Sequence, residues 1–462
     1  MLNDVLNRTR DLCKKVVDEL LKDYQYASIL GVASKGIRCR VDSKNTSLSE
    51  SDTEYGYVIK IYNNGAISEY SFNYIDNDNY MDIVKEAKKC VEANYNSKRV
   101  DLHQIDDEPL VKDFNREDLE PLSDSELVSE LTDIKNRIEG YNELIINAIS
   151  IFNKIEISKI FISKNKNLSQ YYTWSNAYVI AVSRKNNIRM ARKSVESFNS
   201  REAINKAKEI IDDTCDLAIR LLDSKPVEPG VYDIITDPSI TGLIAHEAFG
   251  HGVEMDMFVK NRAKGKDYVG KEVASSLIDM HDGASAWGSV ASFFFDDDGI
   301  LAHDTLIIKN GILQTGISDM LSALELGTTP TGNGRRESYL RKAYSRMTNT
   351  YFSKGTSSVE DMIKSIKHGY YLCDTNNGME DPKNWQIQCT AEYGLEIVDG
   401  KFSGKIVSPV VISGYVPDVL KSISMVSNGF EISGSGFCGK GHKEWVRVSD
   451  GGPHLKAKVK LG

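Results

Sequence analysis

Apolar residues recur at helical spacing over residues 1–23, where Val5, Leu6, Leu12, Val16, Val17, Leu20 and Leu21 share one side. The spacing predicts an amphipathic helix. The period then changes to two. Over residues 57–72, two alternating runs flank Asn63-Asn64-Gly65, a turn signal that predicts a hairpin. Helical spacing returns over 81–95, with Met81, Ile83, Val84, Ala87 and Val91 on one side, and over 124–139, capped by Ser123 or Asp124. Strand-like runs fill 145–187, and 199–223 reads as the most regular helix of the chain. Residues 224–230, Ser-Lys-Pro-Val-Glu-Pro-Gly, break the pattern with two prolines and a glycine. Beyond them glycine becomes dense and short β-like runs succeed one another at 305–317, 391–415 and 456–461. The expectation is an α+β protein: a mixed α/β N-terminal domain over 1–223, and a mainly β C-terminal domain over 230–462 carrying one or a few helices.

Composition narrows the function classes. The 462 residues are 41% hydrophobic and 27% charged, which is ordinary for a globular chain. Lys and Arg number 57 against 66 Asp and Glu, a net charge of -9. That balance argues against non-specific nucleic-acid binding, which needs a basic face. No stretch approaches the ~18 apolar residues of a membrane span, and the N-terminus shows no apolar signal region. The 7 cysteines are sparse and without CxxC spacing, which suits a reducing compartment. A cytoplasmic protein without membrane or nucleic-acid partners is expected.

One segment carries candidate chemistry. Asp237 is a good N-cap and Pro238 a good first helical residue, so a helix is expected to run into His246-Glu247-Ala248-Phe249-Gly250-His251-Gly252. Two histidines with a glutamate beside the first follow the logic of a zinc hydrolase. The spacing departs from the zincin motif H-E-x-x-H, because the second histidine stands at i+5. On a straight helix, at ~100° per residue, i+5 lies about 140° from i, too far round to share one ion. Either a π-bulge brings the pair onto one face, or the helix ends near Gly250 and His251 reaches back from irregular backbone.

A catalytic zinc takes a third protein ligand. The residues leave Glu254, His281, His303, His442, His454 and the cysteines open. Cys438 is the most suggestive, in Gly436-Phe437-Cys438-Gly439-Lys440, where glycines permit close backbone approach and Lys440 would lower the thiol pKa.

Four segments together resemble the TldD/PmbA (TldD/TldE) family of peptidases, specifically its metal-bearing TldD-type subunit. They are His246–Glu254, Thr331–Tyr339 (Thr-Gly-Asn-Gly-Arg-Arg-Glu-Ser-Tyr), Arg346–Tyr351 (Arg-Met-Thr-Asn-Thr-Tyr) and Gly436–Lys440. The resemblance implies a zinc metallopeptidase with one Zn2+ per chain. It places the ligands on His246, His251 and Cys438 and the catalytic glutamate on Glu247, and moves Glu254 behind the ligands. It also implies a dimer, with a PmbA/TldE-type subunit or a second copy of the chain, acting on peptides or unfolded polypeptide segments.

On that reading Glu247 activates a zinc-bound water for attack on the scissile carbonyl. Arg335 and Arg336, after the turn Gly332-Asn333-Gly334, are expected either to form a solvated loop or to anchor a substrate carboxylate or carbonyl. Asp296-Asp297-Asp298-Gly299 lacks cation-loop spacing and reads as a β-turn. Two alternatives stand beside the peptidase: a non-catalytic scaffold subunit of a peptidase complex, and a zinc hydrolase of a non-peptide amide.

Overall fold

A computed structural model describes residues 2–94, 105, 107–434, 436–441 and 443–462. The first half forms one sheet of eight strands. Six lie in the order Ala66–Phe72, Glu54–Asn63, Tyr26–Asp42, Ile145–Ile162, Lys166–Arg184, Leu110–Arg116, while Thr46–Glu50 adds to Tyr26–Asp42 and Ile188–Ser197 to Lys166–Arg184. The predicted hairpin is present. Asn64 and Gly65 both have positive φ (49° and 87°), as a two-residue turn of this hand requires. The central strand Tyr26–Asp42 and the edge strand Ile188–Ser197 were not legible as strands. The second alternates little and carries Arg189, Arg192 and Lys193.

The helices follow the apolar spacing with two interruptions. The N-terminal one is split into Leu2–Asn7 and Arg10–Leu20 at Thr9, whose hydroxyl bonds Leu6 O and the Tyr57 hydroxyl instead of continuing the ladder. The helix over 199–223 becomes Ser200–Glu209 and Ile211–Arg220. The Thr214 hydroxyl takes the Ile210 carbonyl at 2.6 Å, a back-bond that bends helices and keeps both apolar faces on the twisted sheet. The helix over 81–95 runs Tyr80–Ala93, position 95 lying outside the described residues. Asp124–Glu139 starts at a full capping box, Ser123 with Glu126.

The second half is mainly β. Strands His368–Asp381, Gly230–Thr236, Leu455–Leu461, Val410–Tyr415 and Gln386–Val398 pair in that order. His368–Asp381 also pairs with Gln386–Val398, which closes the five into a ring. Beside it lies a six-stranded sheet containing Asn349–Phe352 and Ser449–Gly452, its only parallel pair among the described residues. Helices here are short, Pro238–Ala245 being the longest at 8 residues. The architecture is α+β.

The two halves are joined through charge. The acidic turn closes with Gly299 N on Asp296 O at 3.1 Å, as a turn should, yet it is buried. Asp298 pairs with Lys60, Asp297 with Lys159, and Lys166 Nζ donates to Gly299 O at 3.0 Å. Phe161 of the first sheet packs against Gly299, where a Cβ would lie 2.3 Å from the ring.

Candidate metal centre

The local sequence builds the motif helix as its end residues demand. The Asp237 carboxylate accepts Ile240 N at 2.8 Å, and its other oxygen accepts Asp374 N at 2.9 Å, fastening the helix start to strand His368–Asp381. Pro238–Ala245 is α-helical. His246–Gly250 then widens into a π turn, and His251–Val253 tightens into a 3-10 turn. The bond that defines the widening runs from His251 N to His246 O, an i+5 contact that stacks the two histidines on one face. Their rings stand 5.2 Å apart and nearly perpendicular, at 87°. The π-bulge is thus the device the i+5 spacing called for, and the helix also stops being regular before Gly252. Packing enforces the turn: a Cβ on Gly250 would lie 1.9 Å from Met347 Sδ.

Cys438 arrives from 187 residues away on the hairpin Phe437–Lys440 and Lys443–Arg447. Its Sγ lies 3.4 Å from His251 Nε2. Donor atoms of His246, His251 and Cys438 all fall within 4.8 Å of one another. Burial by itself would raise the thiol, but His251 and His246 outweigh it and hold Cys438 well below its ordinary value. Lys440, the expected cause, is engaged elsewhere. Its Nζ bonds Asp256 at 2.7 Å, Glu254 at 3.0 Å and Ser345 O at 3.2 Å. In return, the thiolate overcomes burial to raise His246 to about 9.

The outer nitrogens of both imidazoles face carboxylates. His251 Nδ1 lies 3.3 Å from Glu254 Oε2, and His246 Nδ1, with no hydrogen-bond partner, lies 3.8 Å from Asp450 Oδ2. Burial pushes Asp450 up to about 6, against the pull of His246. Glu254 is only 2% exposed. Burial disfavours its charge, but Lys440 and His251, with Arg346 Nε at 3.4 Å, hold the carboxyl well below the usual range. Arg346 also donates to Cys438 O at 2.8 Å and to Glu444 O, so one buried guanidinium ties the cysteine hairpin to the acid behind His251. This donor set fits zinc. Two imidazoles and a thiolate converge within 4.8 Å, the His251–Cys438 separation of 3.4 Å lying near the ~3.3–3.6 Å edge of a zinc tetrahedron, and His251 is oriented through its other nitrogen by Glu254.

The cluster lines a cavity of about 550 Å3. Glu247 lines it, 7% exposed, packed where a Cβ on Gly378 would come 2.7 Å from its Cγ. Arg335 and Arg336 are not brought to this cavity. Arg336 forms two hydrogen bonds to Glu69 of the first sheet, at 2.7 and 3.1 Å, and Arg335 is half-buried, donating to Met347 O at 2.5 Å. They form neither a solvated loop nor a lining of the cavity: Arg336 joins Lys60 on Glu69, and its backbone N–H donates to Asp297 of the acidic turn at 2.7 Å, while Arg335 turns to the Met347 carbonyl. His281 pairs with Asp304, and His454 with the Tyr371 hydroxyl at 2.7 Å. His303 does not line the cavity, Cys389 is core, and His442 lies outside the described residues.

Residues 229–460, half of the chain, match the family model described as the PmbA/TldA metallopeptidase C-terminal domain. The chain belongs to the TldD/PmbA family. A zinc metalloprotease TldD homolog of Saccharolobus solfataricus is 27% identical over 96% of this chain and 99% of its own. A metalloprotease of Methanothermobacter thermautotrophicus is 34% identical over a stretch making up 53% of each chain. The crystal structure of TldE from Thermococcus kodakarensis superposes with a TM-score of 0.73 at 18% identity, covering 98% of this chain and 100% of that one, and so shares the fold.

Three residues around the centre of this TldD/PmbA-family chain escaped sequence reasoning: Asp450, Arg346 and Glu380. Asp450 precedes Gly451-Gly452, and a backbone packed this tightly was the available signal. A Cβ on Gly242 of the motif helix would lie 2.3 Å from Gly451 N. Arg346 opens one of the segments that carry the family resemblance but its role does not follow from its neighbours in the chain, and Glu380 carries no local signal, since its surroundings are remote in the chain.

Proposed function

We propose that this chain is a zinc metallopeptidase hydrolysing peptides or unfolded polypeptide segments, with one Zn2+ held by His246, His251 and Cys438 and with Glu247 as the general base. The observation that carries the reading is the convergence of two imidazoles and a thiolate, with Glu247, in the lining of one cavity. The zinc metalloprotease relative supports it. When bound, zinc supplies Lewis acidity, lowering the pKa of water and polarising the scissile carbonyl. Glu247 takes the proton of the attacking water and returns it to the leaving amine. Glu254 holds His251 in the tautomer that presents Nε2, Asp450 stands 3.8 Å from His246 Nδ1, and Arg346 and Lys440 hold Glu254 in place.

Strand His368–Asp381 suggests how substrate is held. Beyond Leu372, where its pairing with Gly230–Thr236 ends, no strand among the described residues pairs with that edge, and residues 376–380 line the cavity. A peptide adding there as a strand is recognised through its main chain, which tolerates varied side chains. A complex showing the peptide bound as a helix would sink this part of the reading.

The working assembly on this proposal is a dimer with a TldE-type subunit or a second copy of the chain, and the compartment is the cytoplasm, where the 7 free cysteines stay reduced. The decisive experiment measures zinc per chain and peptide cleavage together. Glu247→Ala should keep about one zinc and lose turnover by about 10²–10⁴-fold. Cys438→Ser should lose zinc. Turnover retained in Glu247→Ala, or zinc retained in Cys438→Ser, removes that residue from its role.

A further inference from the structure

The cavity holds a second carboxylate that the metal chemistry leaves unused. Glu380 stands near the end of strand His368–Asp381, two residues past Gly378, and side chains two apart on a strand share a face. Gly378 is the residue that packs on Glu247, so Glu380 lies on the same face about 6.7 Å further along. Its other side meets the turn after His251. A Cβ on Gly252 would lie 3.0 Å from Glu380 Oε1 and 3.6 Å from Trp385 Nε1.

Both carboxylate oxygens of Glu380 are closed to solvent, and neither has a hydrogen-bond partner. The indole N–H of Trp385 is buried without an acceptor beside them. Cations that reach toward the cavity are already engaged. Lys440 serves Glu254 and Asp256, and Lys264 bonds the Tyr415 hydroxyl at 2.9 Å and covers the Trp385 ring. Burial pushes the Glu380 carboxyl well above its ordinary range, and the nearby charges of Glu247, Glu254 and Asp381 add to this while His251 opposes it. A buried carboxylate without a partner is strongly unfavourable, and natural chains keep one where an outside group completes it.

We propose that Glu380 is a recognition residue that receives a cationic group of the peptide, its α-ammonium or a Lys or Arg side chain, about two residues along the extended chain from the scissile bond. The inference rests on the peptidase reading and names the substrate class of that same cavity: peptides carrying a positive charge close to the cleaved bond. The spacing follows from the strand. A substrate paired along residues 376–380 advances by the same ~3.3 Å per residue as the strand it joins. The ammonium or guanidinium meets Glu380 in a charge-assisted hydrogen bond, and the site's acidity disfavours an acidic residue at that position.

The test uses pairs of otherwise identical peptides. One pair differs by N-terminal acetylation and the other by lysine against norleucine. Zinc-loaded full-length protein is assayed for cleavage, and the Glu247→Ala protein for binding by calorimetry. In at least one pair, removing the charge should weaken binding and lower kcat/KM by roughly tenfold to a hundredfold. The pair that responds identifies the α-ammonium or the side chain as the source. Glu380→Gln should shrink that ratio below about threefold, with zinc content unchanged and the melting temperature not lowered. A ratio that survives Glu380→Gln, or wild-type protein indifferent to both pairs, overturns the role of Glu380 and leaves the peptidase reading standing. A second divalent ion bound per chain and lost in Glu380→Gln overturns it in favour of a metal ligand. Failure to bind or cleave any peptide, both alone and with a TldE-type subunit added, overturns both readings.

Discussion

Glu254→Gln tests whether the buried charge network or the ligand triad alone shapes the metal centre. The substitution keeps volume and removes one negative charge from a residue 2% exposed. Three cationic or donor groups depend on it: His251 Nδ1 at 3.3 Å, Lys440 Nζ at 3.0 Å and Arg346 Nε at 3.4 Å. The first bears on metal affinity. Losing the acid that orients a ligating imidazole costs about 10–100-fold, or roughly 1.4–2.7 kcal/mol. The other two bear on folding. Breaking a buried ion pair from one side costs about 3–5 kcal/mol. The low end applies, because Lys440 keeps Asp256 at 2.7 Å and Arg346 keeps the carbonyls of Cys438 and Glu444.

With an unfolding entropy of ~2.1 cal/mol/K per residue over 462 residues, about 3 kcal/mol lowers Tm by about 3 °C if the chain melts as one unit. Scanning calorimetry of the metal-free protein reads the second effect, and competition with a chromogenic zinc chelator reads the first. Asp256→Asn is the control, since it also takes a partner from Lys440 but leaves His251 untouched. It should lower Tm with little change in zinc affinity. Equal zinc affinity in wild type and Glu254→Gln would refute the claim that Glu254 positions His251, whatever happens to Tm.

Two further outcomes follow from packing and charge away from the ligands. Gly250→Ala forces a Cβ to within 1.9 Å of Met347 Sδ in a core where Met347 is fully buried. It should cost about 1–3 kcal/mol and weaken zinc binding by displacing the π turn, and adding Met347→Ala should restore part of both; unchanged melting and zinc titration would show that the turn does not depend on this contact. Glu69, although burial disfavours its charge, is held at about 2 by Arg336 and Lys60 against an ordinary 4.5. Its folded-state pKa is depressed, so the stability it contributes, up to roughly 3 kcal/mol, is present above about pH 4.5 and lost as pH falls toward 2. Denaturant melts should show wild type more stable than Glu69→Gln at pH 6 and the gap closing between pH 4.5 and 2; a constant gap would mean that the interface charges do not titrate as a linked set.

Features that a few neighbouring residues control could be read from the chain alone. Asn64-Gly65 dictates a tight hairpin, Ser123 with Glu126 a helix start, and Asp237-Pro238 the entry to the motif helix, because each acts through bonds within three or four residues. The i+5 spacing of His246 and His251 even demanded a break in α-geometry, since 3.6 residues per turn cannot align them. The glycine context made Cys438 the most suggestive of several open donors, and the family resemblance placed the third ligand on it. Tertiary structure decided the rest. It carried Cys438 across 187 residues to His251, set Asp450 and Glu254 behind the imidazoles, and drew Lys440 away from the thiol to Glu254 and Asp256. It also spent Arg336 on Glu69 and left Glu380 with neither oxygen satisfied. The physical reason is burial. A charge exposed on a loop obeys its local sequence, but one enclosed between two halves of a chain must be matched by whatever group the fold brings to it, and that partner is written nowhere near it.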